Sequence, residues 1–277
     1  MNYLIKMGRA FYALALIVYG IQQCYFSSFR NVFVSPYQQY LPWLPLWAWL
    51  FGGYLIASGL SILTGRRGKE AALLGGAVFL FLFLSTQLTY QLISEPNKIY
   101  HLGLWVNQFK ELALSGGAFV VAGSFSEGAS DNRFYALLNK LVPYGNLLFL
   151  FTITVFGMGH IIYAELMPNA VPAWFSDRLF WIYFTGILLV GAGITIGFGI
   201  RLRVVALLLS VMIFLWFWII HVPGAIGDPI ARRGEYPASA ADALAFSGVA
   251  LLIAFTMPRQ QWVSDIENWG RSLKQPL

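Results

Sequence analysis

The stretch "GGYLIASGLSILTGRRGK", Gly52–Lys69, returns in altered form as "GILLVGAGITIGFGIRLR", Gly186–Arg203. The two runs pair Gly52 with Gly186, Gly59 with Gly193, Gly65 with Gly199, Arg67 with Arg201 and Lys69 with Arg203. Each is an apolar run with small residues at helical spacing, closed by a glycine and a basic turn. Small residues let membrane helices approach closely. The match extends in both directions. "GRAFYALALIVYG" (Gly8–Gly20) aligns with "GNLLFLFTITVFG" (Gly145–Gly157), and "LALSGGA" from Leu112 aligns with "LAFSGVA" from Leu244. The chain therefore reads as a tandem duplication of a four-helix unit. An even number of spans per copy leaves both copies in one orientation, a parallel repeat.

The composition agrees with a lipid environment. Of 277 residues, 58% are hydrophobic, 17% aromatic and 11% charged, against about a quarter charged in soluble domains. Crossing a hydrocarbon core takes about 20 residues at 1.5 Å rise, and eight spans of that order are expected: 7–26, 45–64, 71–92, 107–124, 145–164, 180–199, 203–222 and 240–257. Lipid offers no hydrogen bonds to the backbone, and the spans lack the alternating polarity of barrel strands, so helices are the economical reading. The expected fold is an all-α membrane protein of eight transmembrane helices, arranged as two tandem four-helix bundles. Its parts are a first repeat (1–124), a polar linker (125–143) with a short amphipathic turn, a second repeat (144–257) and a tail (258–277). In the tail, Trp262, Ile266, Trp269 and Leu273 share one helical face beside Arg259, Arg271 and Lys274, the pattern of a helix lying on the membrane surface.

The net charge of +6 sits in short connectors and forms no patch of the size a nucleic acid needs. It reads as a topology signal. Placing Lys6, Arg9, Arg66, Arg67, Lys69, Arg133, Lys140, Arg201, Arg203, Arg259, Arg271 and Lys274 in the cytoplasm leaves only Arg30, Lys98, Arg178, Arg232 and Arg233 outside. The positive-inside rule then favours N-in and C-in, in a bacterial inner membrane. The longer connectors face outward, with tryptophans suited to a membrane-interface belt. The first apolar segment has the look of a signal peptide, but its match to an internal span favours retention as a first helix. Cys24 is the single cysteine, which excludes an internal disulfide or a CxxC pair.

Used as a ruler, the repeat puts the few polar residues of the spans at matched places. Gln23 aligns with His160 near the end of each copy's first helix, and Gln87 with His221 near the end of its third, which is expected to stop at Pro223. Lys110, next to Glu111, aligns with Asp242 at the start of the fourth. All lie at the outward ends of their helices. One polar cluster per copy is expected: Gln23, Gln87, Lys110 and Glu111 in the first, His160, His221 and Asp242 in the second. Intramembrane ionisable groups are costly and usually have partners or a function.

Two histidines and a carboxylate beside Trp216, Phe217, Trp218 and Trp181 suit a flat lipophilic ligand held by its polar edge, and a quinone fits that description. Imidazole can donate to a carbonyl and pass a proton. The plainer reading keeps the histidines as satisfied helix ends and the aromatics as core and interface anchors. A metal held by His160, His221 and Asp242 with Glu165 is the competing chemistry, but no spaced ligand motif supports it, so no metal is expected.

These patterns resemble the DoxX-like family. The residues that carry the resemblance are "GRAFYALALIVYGIQQ", a Pro/Trp-rich outer loop, "GGYLIASGLSILTGRRGKEAALL" and "KELALSGGAFVVAG", repeated through "FTGILLVGAGITIGFGIRLRVVALLL", "HVPG" and "ALAFSGVALLIA". Membership would imply a four-helix membrane bundle per copy and an association with membrane redox chemistry, since a relative is a subunit of a thiosulfate:quinone oxidoreductase. Other relatives act as assembly or trafficking factors. The first copy departs from the second in carrying glutamines where the second has histidines. The resulting expectation is a multi-pass protein that binds a quinone-like or other lipophilic ligand through His160, His221, Asp242, Trp218, Gln23, Gln87, Lys110 and Glu111. Its partners would be membrane lipid and other membrane subunits or a second copy of the chain. A non-catalytic assembly or accessory subunit is the alternative, and a transporter ranks below both because the polar groups cluster at one end.

Overall fold

The computed structural model describes residues 2–34, 36–125 and 132–256; the surface helix expected over 258–277 lies outside them. The described residues contain helices and turns and no strand. In chain order the long helices are α1 (Asn2–Phe26), α2 (Leu44–Thr64), α3 (Gly68–Leu82), α4 (Val106–Gly123), α5 (Gly145–Ile162), α6 (Arg178–Gly197), α7 (Leu202–Trp216) and α8 (Glu235–Thr256). A short helix, Arg133–Asn139, stands in the linker and is capped by the Asn132 side chain, which accepts from the Phe134 N–H at 2.9 Å.

Matched sequence gives matched geometry. Gly65 and Gly199 close α2 and α6 at φ of 75° and 71°, and Arg67 and Arg201, two residues on, also adopt positive φ. Both α3 and α7 run into a π-helical turn, Phe83–Leu88 and Phe217–His221, and then into a further α-helical turn, Thr89–Ser94 and Val222–Gly227. Such turns take one residue more than the α-helix and often mark functional positions. In the first copy the Thr89 hydroxyl donates to the Leu84 carbonyl, five residues back, at 3.0 Å. In the second, Pro223 lacks the N–H that an α-helix would supply to Ile219. The proline expected to end the seventh span therefore widens the helix, which goes on to Gly227.

Among the described residues seven helical segments are long and apolar enough to cross a membrane, where eight spans were expected. The segment outside that set is α4, of 18 residues, whose first turns carry Asn107, Gln108, Lys110 and Glu111. It can be polar because nearly all of it is buried against other helices. The outer surface is apolar, with Leu50, Phe81, Ile187 and Leu208 all more than half exposed. An apolar face of this extent is not kept in water. By length, composition and surface the chain is a multi-pass helical membrane protein.

Each long helix packs on the next in sequence, and α8 returns to α1, closing a ring. Across its middle α4 meets α8, so the ring is pinched into two lobes, α1–α3 and α5–α7, which share α4 and α8 as a common wall. Glycines set the crossings. A Cβ on Gly20 would lie 2.6 Å from the Gly52 carbonyl oxygen, and one on Gly157 would lie 2.6 Å from that of Gly186, so α1–α2 and α5–α6 touch backbone to backbone. Gly8 meets Gly248, and Gly145 meets Gly116, in the same way. These last pairs join different copies. The first helix of each copy packs on the fourth helix of the other, whereas two separate bundles would close within each copy. Matched serines fix the wall: Ser115 donates to the Gly76 carbonyl at 2.8 Å, and Ser247 to the Ser210 carbonyl at 3.0 Å.

Candidate functional site

The shared wall carries opposite charges at matched positions. Lys110 Nζ on α4 lies 3.0 Å from Asp242 Oδ2 on α8. Asp242 Oδ1 accepts a hydrogen bond from the Tyr19 hydroxyl on α1, which also contacts the Ala238 carbonyl at 3.3 Å. Carrying two charges into a buried wall is costly unless they are paired and hydrogen-bonded, and here three helices meet that need.

On the second-lobe side of this ion pair lies a cavity of about 750 Å³. Lys110, Asp242, His160 and His221 all line it, at the end of the lobe where α4 and α8 begin and α5 ends. Its deeper wall is apolar: Ile153, Leu189, Met212, Ile213 and Phe246. Ile153 precedes His160 by two helical turns, so the cavity reaches about 10 Å inward from its polar edge. Trp181 and Trp216 stand on one side, their rings 6.1 Å apart and nearly perpendicular. Connector residues, among them His101, Leu104, Tyr163 and Met167, cover the polar end.

The two imidazoles differ in their bonding. His160 Nδ1 lies 2.8 Å from the Phe156 carbonyl oxygen one turn back; with that nitrogen donating, Nε2 of the neutral ring is an acceptor. His221, in the π-helical turn, makes no hydrogen bond among the described residues. Together with the Lys110 ammonium, the edge offers a donor cation, an acceptor nitrogen and a ring still to be paired. That suits a ligand with oxygen at its rim and an apolar body.

The remaining predicted residues lie elsewhere. Trp218 is 55% exposed on the outer surface and does not line the cavity, nor does Phe217. Gln87 is buried in the first lobe and donates to the Asn31 carbonyl at 2.7 Å. Gln23 and Glu111 are fully buried, and neither side chain finds a hydrogen-bond partner among the described residues. The polar residues thus do not sort by copy, because Lys110 of the first copy joins the residues of the second. Among the described residues no group of three or more His, Cys, Asp and Glu is placed to hold a metal ion.

Sequence reasoning missed Tyr19, whose role follows from the cross-copy packing of α1 on α8, and the connector residue His101. It also missed what fills the first lobe. Residues 28–34, with Arg30, Val32 and Phe33 buried, turn inward there. The Arg30 carbonyl accepts from the Phe33 and Val34 N–H groups at 2.9 and 3.2 Å. The Arg30 guanidinium lies 5.3 Å from the Phe26 ring centroid, and burial pushes its pKa below the ordinary arginine range. The buried run "VFV" after a charged residue was the available signal. The chain matches no family model, no curated protein and no solved structure.

Proposed function

We propose that the second-lobe cavity binds a quinone-like or other lipophilic ligand, and that the chain serves as a membrane subunit of a redox assembly. The observation that supports this most is the joining of Lys110, Asp242, His160 and His221 at one edge of a cavity whose body is apolar and aromatic. Ligand sites have this make-up: a largely apolar pocket with a few convergent polar groups. A quinone, when bound, supplies redox chemistry at a carbonyl edge coupled to proton uptake. The Lys110 ammonium can donate to a carbonyl oxygen, His160 Nε2 can accept from a hydroxyl, and His221 can exchange a proton with either. The resemblance to DoxX-like proteins points the same way; the proposed setting is a bacterial inner membrane, N-in and C-in, with lipid and other subunits or a second copy as partners.

The test is a titration of purified full-length protein with decylubiquinone, followed through quenching of tryptophan fluorescence and repeated with His160→Ala and His221→Ala. Loss of one hydrogen bond to the ligand, about 1–1.5 kcal/mol, weakens binding about tenfold. Affinity unchanged in both variants would remove the site assignment. A second reading, a non-catalytic accessory subunit, is favoured by one observation: half of the molecule has its lobe filled by its own chain. Stable co-purification of partner subunits without any retained ligand would support it.

A further inference from the structure

We infer that the ligand of the second lobe combines a flat ring with a carbonyl oxygen, the ring seated among Phe156, Thr185 and Ile213 and the carbonyl accepting a hydrogen bond from His221. The template is the chain's own turn in the first lobe. The Phe33 ring is held there by Tyr19, Phe51 and Phe79, at centroid distances of 5.0, 5.3 and 5.4 Å. The repeat register that pairs Gly20 with Gly157, Gly52 with Gly186 and Gln87 with His221 converts these three residues into Phe156, Thr185 and Ile213. All three line the second-lobe cavity.

The polar end of the turn follows the same register. Gln87 donates to the Asn31 carbonyl, and Thr86 lies 3.4 Å from the Phe33 carbonyl oxygen. Their counterparts, His221 and Ile220, also line the cavity. Five positions that grip the inserted turn in one lobe thus face the cavity in the other. The exchange of Phe51 for Thr185 and Phe79 for Ile213 thins the walls, leaving room for a body larger than a phenyl ring. Gln87 and His221 occupy matched positions in equivalent π-helical turns, and a neutral imidazole, like the glutamine amide, carries an N–H donor.

This assignment rests on the second-lobe cavity being a ligand site, and it is open to two sources of the shared chemistry. A quinone carries the carbonyl on the ring. An N-acylated aromatic amide carries it on the chain beside the ring, as the inserted turn carries the Asn31 carbonyl two residues before Phe33. The test uses full-length protein in nanodiscs with three probes: decylubiquinone, N-octanoyl-phenylalanine amide and, as a ring without carbonyl, decylbenzene. Each is titrated against wild type, His221→Gln and His221→Leu.

The expected result is that a carbonyl probe binds wild type and His221→Gln within about threefold, and binds His221→Leu about tenfold more weakly. Decylbenzene should bind all three alike, which shows that the leucine variant keeps its cavity. Carbonyl probes that bind His221→Leu as well as wild type would overturn the inference. So would a glutamine variant as weak as the leucine one. The acyl amide alone showing this dependence would sustain the inference and sink the quinone reading. Decylubiquinone sensitive to His160→Ala but indifferent to residue 221 would do the reverse, and binding of no probe would overturn both.

Discussion

At the scale of single residues, the molecule turns on the ion pair in its shared wall. Asp242→Ala leaves the Lys110 ammonium buried without a counter-charge, and breaking a buried pair in this way costs about 3–5 kcal/mol. The expected outcome is a large fall in the unfolding midpoint of the detergent-solubilised protein. Lys110→Met combined with Asp242→Leu should recover most of it, since replacing both charges by apolar groups is often neutral; Tyr19 would keep the Ala238 carbonyl as its acceptor. Alignment of the copies put Lys110 and Asp242 at one position of the repeat, but it could not make them neighbours. Register within a repeat says which residues are equivalent, not which copy's helix crosses which. The tryptophans show another limit. Trp216 and Trp218, two residues apart, lie on opposite faces of a helix, but spacing alone does not say which face meets the cavity: Trp216 lines it and Trp218 faces outward.

At the scale of elements, the glycine crossings and the π-helical turns make separate predictions. A side chain at Gly157 would meet the Gly186 carbonyl and the Val190 backbone within 3 Å. Gly157→Val should therefore destabilise by about 1–3 kcal/mol through overpacking. Gly191→Ala, on the neighbouring helix where a Cβ meets nothing within 4 Å, should be neutral or slightly stabilising in the same thermal assay, because alanine favours the helix. Deleting Ile219 together with Pro223→Ala, which restores the missing N–H, returns the π-helical turn to α-helical register and swings His221 by about 100°. Circular dichroism should then be unchanged while the His221-dependent part of ligand affinity disappears. The paired glycines and the basic turns were legible in the sequence because close helix approach and the charge of short connectors have local causes. The π-helical turns were hidden: Thr89 and Pro223 favour them by different local means.

At the scale of the whole molecule, the closure of the ring across copies was the part least open to sequence reasoning. Gly8 and Gly145 are equivalent and each meets a glycine of a fourth helix, but which fourth helix depends on the fold as a whole. The fourth helix of the first copy, with Lys110 and Glu111, could be polar because it is the centre of the molecule rather than its lipid face. The same closure predicts that a chain cut within the linker, between residues 126 and 131, still assembles. The two fragments, expressed together, should co-purify as one particle, since each supplies the helix that completes the other. Fragments that purify apart would contradict the shared wall.

The cavity beside Lys110 and Asp242 is proposed to hold a lipophilic molecule with a polar rim. Native mass spectrometry of gently extracted protein tests it most directly, by weighing what the protein retains from the membrane. One ring-bearing lipophilic molecule per chain is expected in the wild type, lost from the His221→Leu variant while bulk phospholipid is kept. Retention of phospholipid alone, identical in both proteins, would contradict it.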